Sequence, residues 1–222
     1  MSDFLILGAG KMGSAVARDL IESGPGHSVT IADRSPERLA RAGASVSSER
    51  LATLTLEIAE ASSSEAALRD RDVVIAALPH RYSLPALAAA VRNGVHFVDL
   101  VGEWPERRLR YGAQAQAGGI TVLSGMGVAP GISNVCVGRA VEFLDETDSA
   151  VIYVGGIPRN PKPPLNYRVV FAIESVLDVY EREVSIIKDG RLQVVPPLSG
   201  VETVSFPAPF EELECFYTDG LG

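Results

Sequence analysis

One hexapeptide limits what this chain can fold into more than any other feature. Gly8-Ala9-Gly10-Lys11-Met12-Gly13 follows directly on the apolar run Phe4-Leu5-Ile6-Leu7 and opens a helical pattern in which Val16 and Leu20, and Ala17 and Ile21, recur four apart. G-x-G-x-x-G has physical content only in that position, after a strand and ahead of a helix. Its first glycine permits a tight turn, its second lets a diphosphate approach the backbone, and its third lets helix and strand pack closely. The amides that open the helix, with the positive end of its dipole, favour phosphate charge. A strand apolar throughout fits a central parallel strand covered on both faces. In a chain with 21 glycines a chance match is common, so a second landmark is needed. Asp33 supplies it, about twenty residues past the last glycine and at the end of the second strand signal, Ser28–Ala32, where a carboxylate accepts hydrogen bonds from an adenosine ribose. The alternative for Asp33 is a loop or capping acid, since Ser35-Pro36 opens the next helix as N-cap and first helical residue.

Strand and helix signals then alternate as βαβ units require. Leu54–Ile58 reads as a weak strand and Glu65–Arg69 as a short helix. Val73–Leu78 is a β-branched, apolar strand stopped by Pro79, and Leu84–Arg92 is a helix closed by Asn93-Gly94. His96–Val98 leads a strand to Asp99, Arg107–Gln116 is weakly helical, and Ile120–Leu123 gives a sixth strand. After Ser124 the texture changes. Gly125–Gly131 reads as a flexible crossing and Ile132–Leu144 as a helix. Ala150–Val154, Val169–Ala172, Val184–Lys188 and Leu192–Val195 read as strands, the last two joined by the hairpin signal Asp189-Gly190. The expectation is an α/β, doubly wound (Rossmann) parallel sheet over residues 1–125, followed by a second, mainly antiparallel α+β domain over residues 126–222. The Ile132 helix is free to pack back on the first domain.

Composition bears on partners. Twenty Lys and Arg against 28 Asp and Glu give a formal charge of -8, which argues against nucleic acid or an anionic membrane surface and for a small-molecule ligand. No uncharged apolar stretch approaches the roughly 18 residues that span a bilayer, and Gly8 interrupts the first apolar run before it reaches the length of a secretion signal, so a cytoplasmic protein is expected. Cys136 and Cys215 lie far apart with no C-x-x-C spacing, so neither a disulfide framework nor a metal site is expected, and both read as small packing residues.

The candidate cofactor contacts are Gly8, Gly10, Lys11, Met12, Gly13, Asp33, Arg34, Leu78 and Pro79. A carboxylate roughly 4 Å from a 2′-phosphate repels it by up to about 4 kcal/mol at an effective dielectric near 20, so Asp33 favours NAD over NADP. Arg34 works the other way, by pairing with that phosphate or by stacking on adenine, and NADP stays open. In doubly wound sheets the ligand lies beyond the carboxyl ends of the strands, which places the residues after Leu78, Leu100 and Leu123 on the nicotinamide side. There Asp99 is a candidate acid–base group or anchor for a substrate ammonium, and His80 is a candidate to move a proton. The alternatives are a turn-capping acid and a solvated loop histidine. Pro130–Asn134 opens a helix whose amides can hold a carboxylate or carboxamide, or simply begin it.

These residues resemble the saccharopine dehydrogenase-like oxidoreductases, and most closely their lysine 6-dehydrogenase branch. The resemblance runs over essentially the whole chain: the loop at Gly8, Gly94–Leu100, Gly127–Asn134, Tyr153–Pro158, Pro163–Tyr167, Val170-Phe171, Pro197–Ser199 and Leu213–Phe216. Tyr153–Tyr167 is the most specific stretch, because nothing in a generic dinucleotide fold asks for it. The resemblance implies NAD(P)-dependent oxidation of a primary or secondary amine, with hydride leaving the carbon beside nitrogen. A lysine side chain then becomes an aldehyde that cyclises onto the α-amine. It further implies that Asp99 or His80 takes the proton from the substrate ammonium, and that Asn134 and Tyr167 contact the substrate. Two departures stand out. Val101-Gly102-Glu103-Trp104 carries an acid where related enzymes tend to have a second glycine, and the chain stops at Gly222 where they continue. A truncated second domain is therefore expected, with an exposed sheet edge that pairs copies into a homo-oligomer. Two alternatives remain: a non-catalytic dinucleotide-binding protein, and an NADP-linked saccharopine-type reductase running the reaction in reverse.

Overall fold

The computed structural model describes residues 2–58, 61–102, 105–164, 166–168 and 173–219. Six parallel strands form the first sheet: β1 (Asp3–Leu7), β2 (Ser28–Asp33), β3 (Leu51–Thr55), β4 (Val73–Ala76), β5 (His96–Asp99) and β6 (Val122–Leu123). Their spatial order is β3-β2-β1-β4-β5-β6, the doubly wound order whose direction reverses between β1 and β4. Helices α1 (Lys11–Ser23), α2 (Pro36–Val46), α3 (Ala61–Leu68), α4 (His80–Asn93), α5 (Pro105–Leu109) and α6 (Gly112–Ala117) connect them.

Alternation along β1 builds two cores at once. Leu5 and Leu7 face one side and join Leu68 of α3, Leu87 of α4, Val74 and Phe97. Ile6 faces the other and meets Ala17 and Ile21 of α1, Leu39 of α2, Val29 and Ile31. Because both faces are covered, the strand is apolar throughout. Ser35 caps α2 as expected, its hydroxyl accepting from the Arg38 amide at 3.3 Å.

Several boundaries differ from expectation. The strand expected at Leu54–Ile58 is β3, which ends at Thr55 because its register on β2 runs from Val29↔Leu51 to Asp33↔Thr55. Helix α4 starts at His80 rather than Leu84, with Pro79 as its N-cap and Pro85 tolerated on the exposed side, and β4 stops at Ala76 rather than at Leu78. The segment expected as one helix over Arg107–Gln116 is two short ones, and β6 keeps only two residues of Ile120–Leu123.

Contacts divide the chain into Met1–Gly131 and Ile132–Gly222. The boundary expected near residue 125 falls in the loop that closes the first unit. In the second, α7 (Ile132–Val141) and α8 (Ile173–Glu181) accompany two antiparallel pairs: β7 (Val184–Lys188) with β8 (Arg191–Val195), and β9 (Glu202–Ser205) with β10 (Glu212–Cys215). The β7–β8 turn places Asp189 at φ 53° and Gly190 at φ 69°, the double positive φ of a tight hairpin. Helix α8 was not anticipated, Ala150–Val154 forms no strand, and Val169–Ala172 lies outside the described residues. Cys136 is exposed on α7, so it is not the packing residue expected, and Cys215 is half-buried; both are free thiols. No helix among the described residues is long and apolar enough to cross a membrane.

The tightest point of the first unit is the third glycine. A Cβ on Gly13 would stand 1.8 Å from the Gly8 carbonyl oxygen. Gly13→Ala is therefore expected to cost about 1–3 kcal/mol or more, because backbone must shift to admit the methyl group. Thermal unfolding reads this as a lowered Tm, and an unchanged Tm contradicts the packing.

Candidate functional site

The loop after β1 is wedged at the point where the strand order reverses. Gly8 donates to the Ala32 carbonyl of β2 at 2.7 Å and takes φ 104°, with the position of a Cβ only 2.5 Å from the Ala77 carbonyl oxygen beyond β4. Side chains at Gly8 and Gly13 are thus excluded from inside. Gly10 differs: nothing lies within 4 Å of where its Cβ would be. It is the N-cap of α1, no side chain caps that helix end, and no acid sits in its first turn. The loop therefore leaves the second glycine facing open space beside an uncapped helix start, as a diphosphate requires. Lys11 and Met12 are exposed next to it.

Asp33 closes the loop. Its Oδ2 accepts from the Ala9 amide at 2.9 Å, its Oδ1 accepts from the Ser35 amide at 2.9 Å, and the Arg38 guanidinium stands 3.8 Å from Oδ2. The Asp33 side chain is only 8% exposed, whereas those of Arg34 and Arg38 are 66% and 55% exposed. Arg34 also reaches to 3.8 Å from Glu57. A carboxylate turned onto two amides and offset by a guanidinium presents little net charge to a phosphate outside. The Asp33 carboxylate expected to face a 2′-phosphate is turned inward instead, and the charges exposed around it are mixed: Arg34, Glu37 and Arg38, with Glu57 against Arg34.

Beyond the carboxyl end of β4, Leu78, Pro79 and the first residue of α4, His80, are half-buried. Asp99 ends β5 as expected but is wholly buried. Its Oδ2 accepts from Arg108 Nη1 at 2.8 Å and from the Ser83 hydroxyl, and its Oδ1 accepts from the Val101 amide at 2.9 Å. Arg108 also donates to the Ser83 hydroxyl, and to the Ser124 hydroxyl at 3.1 Å. Sequence reasoning missed Arg108, which lies in the stretch Arg107–Gln116 where helical spacing is weak.

The two remaining candidates belong to the second unit. Asn134 is exposed near the start of α7 and accepts from the Ser133 hydroxyl at 3.1 Å. Tyr167 lines an open cavity of about 650 Å³ together with Arg159, Asn160, Lys162 and Arg168. Three cations on one cavity suit an anionic ligand. Tyr153 is engaged elsewhere: its hydroxyl donates to Glu202 at 3.0 Å, and that bond, with burial and the Glu202 charge behind it, pushes the phenol above its usual range. Tyr153 therefore stays protonated at neutral pH and holds its loop to β9. No group of three metal-ligating side chains occurs among the described residues.

Comparison with known proteins agrees with this arrangement. The family model described as the saccharopine dehydrogenase NADP binding domain matches residues 4–123, and that of the saccharopine dehydrogenase C-terminal domain matches residues 127–221. The NADP(+)-dependent, L-glutamate-forming saccharopine dehydrogenase of Pyricularia oryzae is 25% identical over 93% of the chain and 45% of its own length. Its Saccharomyces cerevisiae counterpart is 27% identical over 86% of the chain and 43% of its own length. The apo structure of saccharopine dehydrogenase (L-Glu forming) from S. cerevisiae superposes with a TM-score of 0.75 at 20% identity, over 98% of this chain and 50% of that one. The chain thus spans about half the length of the relatives it matches.

The glycines separate stability from binding. Gly10→Ala is expected to cost at most about 1 kcal/mol of stability, because its methyl group enters open space. It is expected to weaken NADPH roughly tenfold or more by obstructing the diphosphate. A fluorescence titration reads the affinity, and unchanged binding contradicts a diphosphate at this loop.

Proposed function

This chain belongs to the saccharopine dehydrogenase family, and from that premise we propose that it acts as an NADP-linked oxidoreductase on the carbon–nitrogen bond of an amino acid or amine. The observation that carries the reading is the loop at β1 and β2, open at Gly10, braced by Asp33 and flanked by the exposed guanidinium groups of Arg34 and Arg38. NADP, when bound, supplies the hydride acceptor. Gly10 and the start of α1 receive the diphosphate. Arg34 and Arg38 receive the 2′-phosphate, Arg in this position being the usual means of accommodating it. Leu78 and Pro79 line the nicotinamide side.

A substrate ammonium must first lose a proton, because only a neutral amine has the lone pair that drives hydride from the neighbouring carbon. Hydrolysis of the resulting imine then releases a carbonyl compound and an amine. His80, at the start of α4, is the group we assign to that proton. Asp99 we assign to holding the neighbouring loops, since Arg108, Ser83 and Val101 already occupy its oxygens. Taken by itself, the second unit offers a cavity whose Arg159, Lys162 and Arg168, beside Tyr167, suit a ligand with more than one carboxylate, and Asn134 is an exposed polar group at the start of α7. The names of the curated relatives, L-glutamate-forming, agree with such a substrate. Self-association through the second unit belongs to the same proposal. The pair Ile187↔Leu192 and Val194 leave an apolar face exposed on the β7–β8 hairpin.

The test is a substrate panel of saccharopine, L-lysine and related diamines with NADP and NAD, using intact full-length protein. The expected result is NADPH production with a carboxylate-bearing secondary amine. Turnover of L-lysine alone favours the lysine 6-dehydrogenase reading, and faster reduction of an imine than oxidation of an amine favours the reverse flux. Tight NADPH binding with no turnover of any amine favours a non-catalytic binding protein. For cofactor choice, Arg34→Ala with Arg38→Ala is expected to reduce the preference for NADPH over NADH about tenfold or more, and an unchanged ratio contradicts the phosphate site.

A further inference from the structure

The Asp99–Arg108 ion pair has no part in the proton transfer proposed above, yet its place in the fold is specific. Asp99 is wholly buried and the Arg108 side chain is 6% exposed. A buried ion pair adds little stability over an apolar pair of the same shape, so its retention calls for another role. Its hydrogen bonds indicate one. Ser83 lies in the opening turns of α4, the helix that His80 begins. Val101 follows β5 and donates to Asp99 Oδ1, while Gly125 donates to the Val101 carbonyl at 3.0 Å. Met126 follows β6 and donates to the Asp99 carbonyl at 2.9 Å, and Ser124 beside it accepts from Arg108. Three segments that leave the carboxyl ends of β4, β5 and β6 are thus tied to one guanidinium. These are the segments that border the nicotinamide half of a dinucleotide in a sheet of this order. The adenosine half is assigned above to other groups, the glycine loop, Asp33, Arg34 and Arg38, with Asp33 bonded to the Ala9 and Ser35 amides.

We infer that Arg108 is a positioning residue which, through Asp99 and Ser83, sets the surface that receives the nicotinamide end while leaving the adenosine end unaffected. The inference rests on the NADP reading given above. Its distinguishing property is selectivity between the two halves of one ligand. A general loss of structure would not produce that selectivity, because it weakens both halves together.

The experiment uses the intact protein with two probes, NADPH and adenosine 2′,5′-bisphosphate, the latter lacking the nicotinamide. Arg108→Lys keeps the charge and loses the planar fork that reaches Asp99, Ser83 and Ser124 together. It is expected to hold adenosine 2′,5′-bisphosphate within about twofold of the wild type, to weaken NADPH at least about fivefold, and to shift the emission of bound NADPH. Ser83→Ala removes the hydroxyl bridge with the ion pair kept, and is expected to show the same selectivity to a smaller degree. Should Arg108→Lys fail to fold, Ser83→Ala decides. Equal weakening of both probes, or no change in either with unaltered NADPH emission, overturns the inference. Wild-type protein that binds neither probe overturns the NADP reading itself, and is a different result from either.

Discussion

The hydrogen bond from the Ala9 amide to the Asp33 carboxylate is the contact on which the rest of the site depends. It joins the glycine loop after β1 to the end of β2, on one flank of the point where the strand order reverses. On the other flank Gly8 is pressed against the Ala77 carbonyl and, within the loop, Gly13 against that of Gly8, so closely that neither admits a methyl group. A loop held from both sides keeps its middle glycine and the start of α1 turned outward. Preorganisation of this kind matters because a loop that had to order on binding would lose affinity to conformational entropy. The same bond turns the Asp33 charge inward.

Much of the first unit could be read from the chain because local and global preferences agree there. An apolar strand, a glycine turn at fixed spacing and an amphipathic helix are all short-range signals, and they recovered β1, α1, β2, the Ser35 cap of α2, and β5. The site was less readable for a definite reason. Residue type places a carboxylate at Asp33 and at Asp99, but does not say which way it faces or what neutralises it. Asp33 is offset by Arg38 and two amides, and Asp99 by Arg108, a residue whose inward turn no periodicity announces. Both are long-range electrostatic facts that residue type alone does not carry.

The second unit was harder to read throughout. Among its described residues only Val176 and Val184 are buried hydrophobics, so the binary pattern that identifies strands and helices is faint. The hairpin at Asp189-Gly190 survived because a turn with two positive φ values is a local demand of backbone sterics. Helix α8 and the unpaired course of Ala150–Val154 carry no such demand. Apart from Arg168, which follows it directly, the lining of the cavity at Arg159, Lys162 and Tyr167 falls in the stretch that sequence resemblance marked as most specific, although composition and spacing alone gave no hint of its cationic character.

The central claim is that the β1–α1 loop grips the diphosphate of NADP while the arginines after β2 hold its 2′-phosphate. A crystal structure of the intact protein grown with NADP tests it most directly. The account predicts diphosphate density against Gly8–Gly13 and the 2′-phosphate within hydrogen-bond reach of Arg34 or Arg38. A nucleotide bound elsewhere, or a loop occupied by other side chains with no nucleotide at saturating concentration, would contradict it.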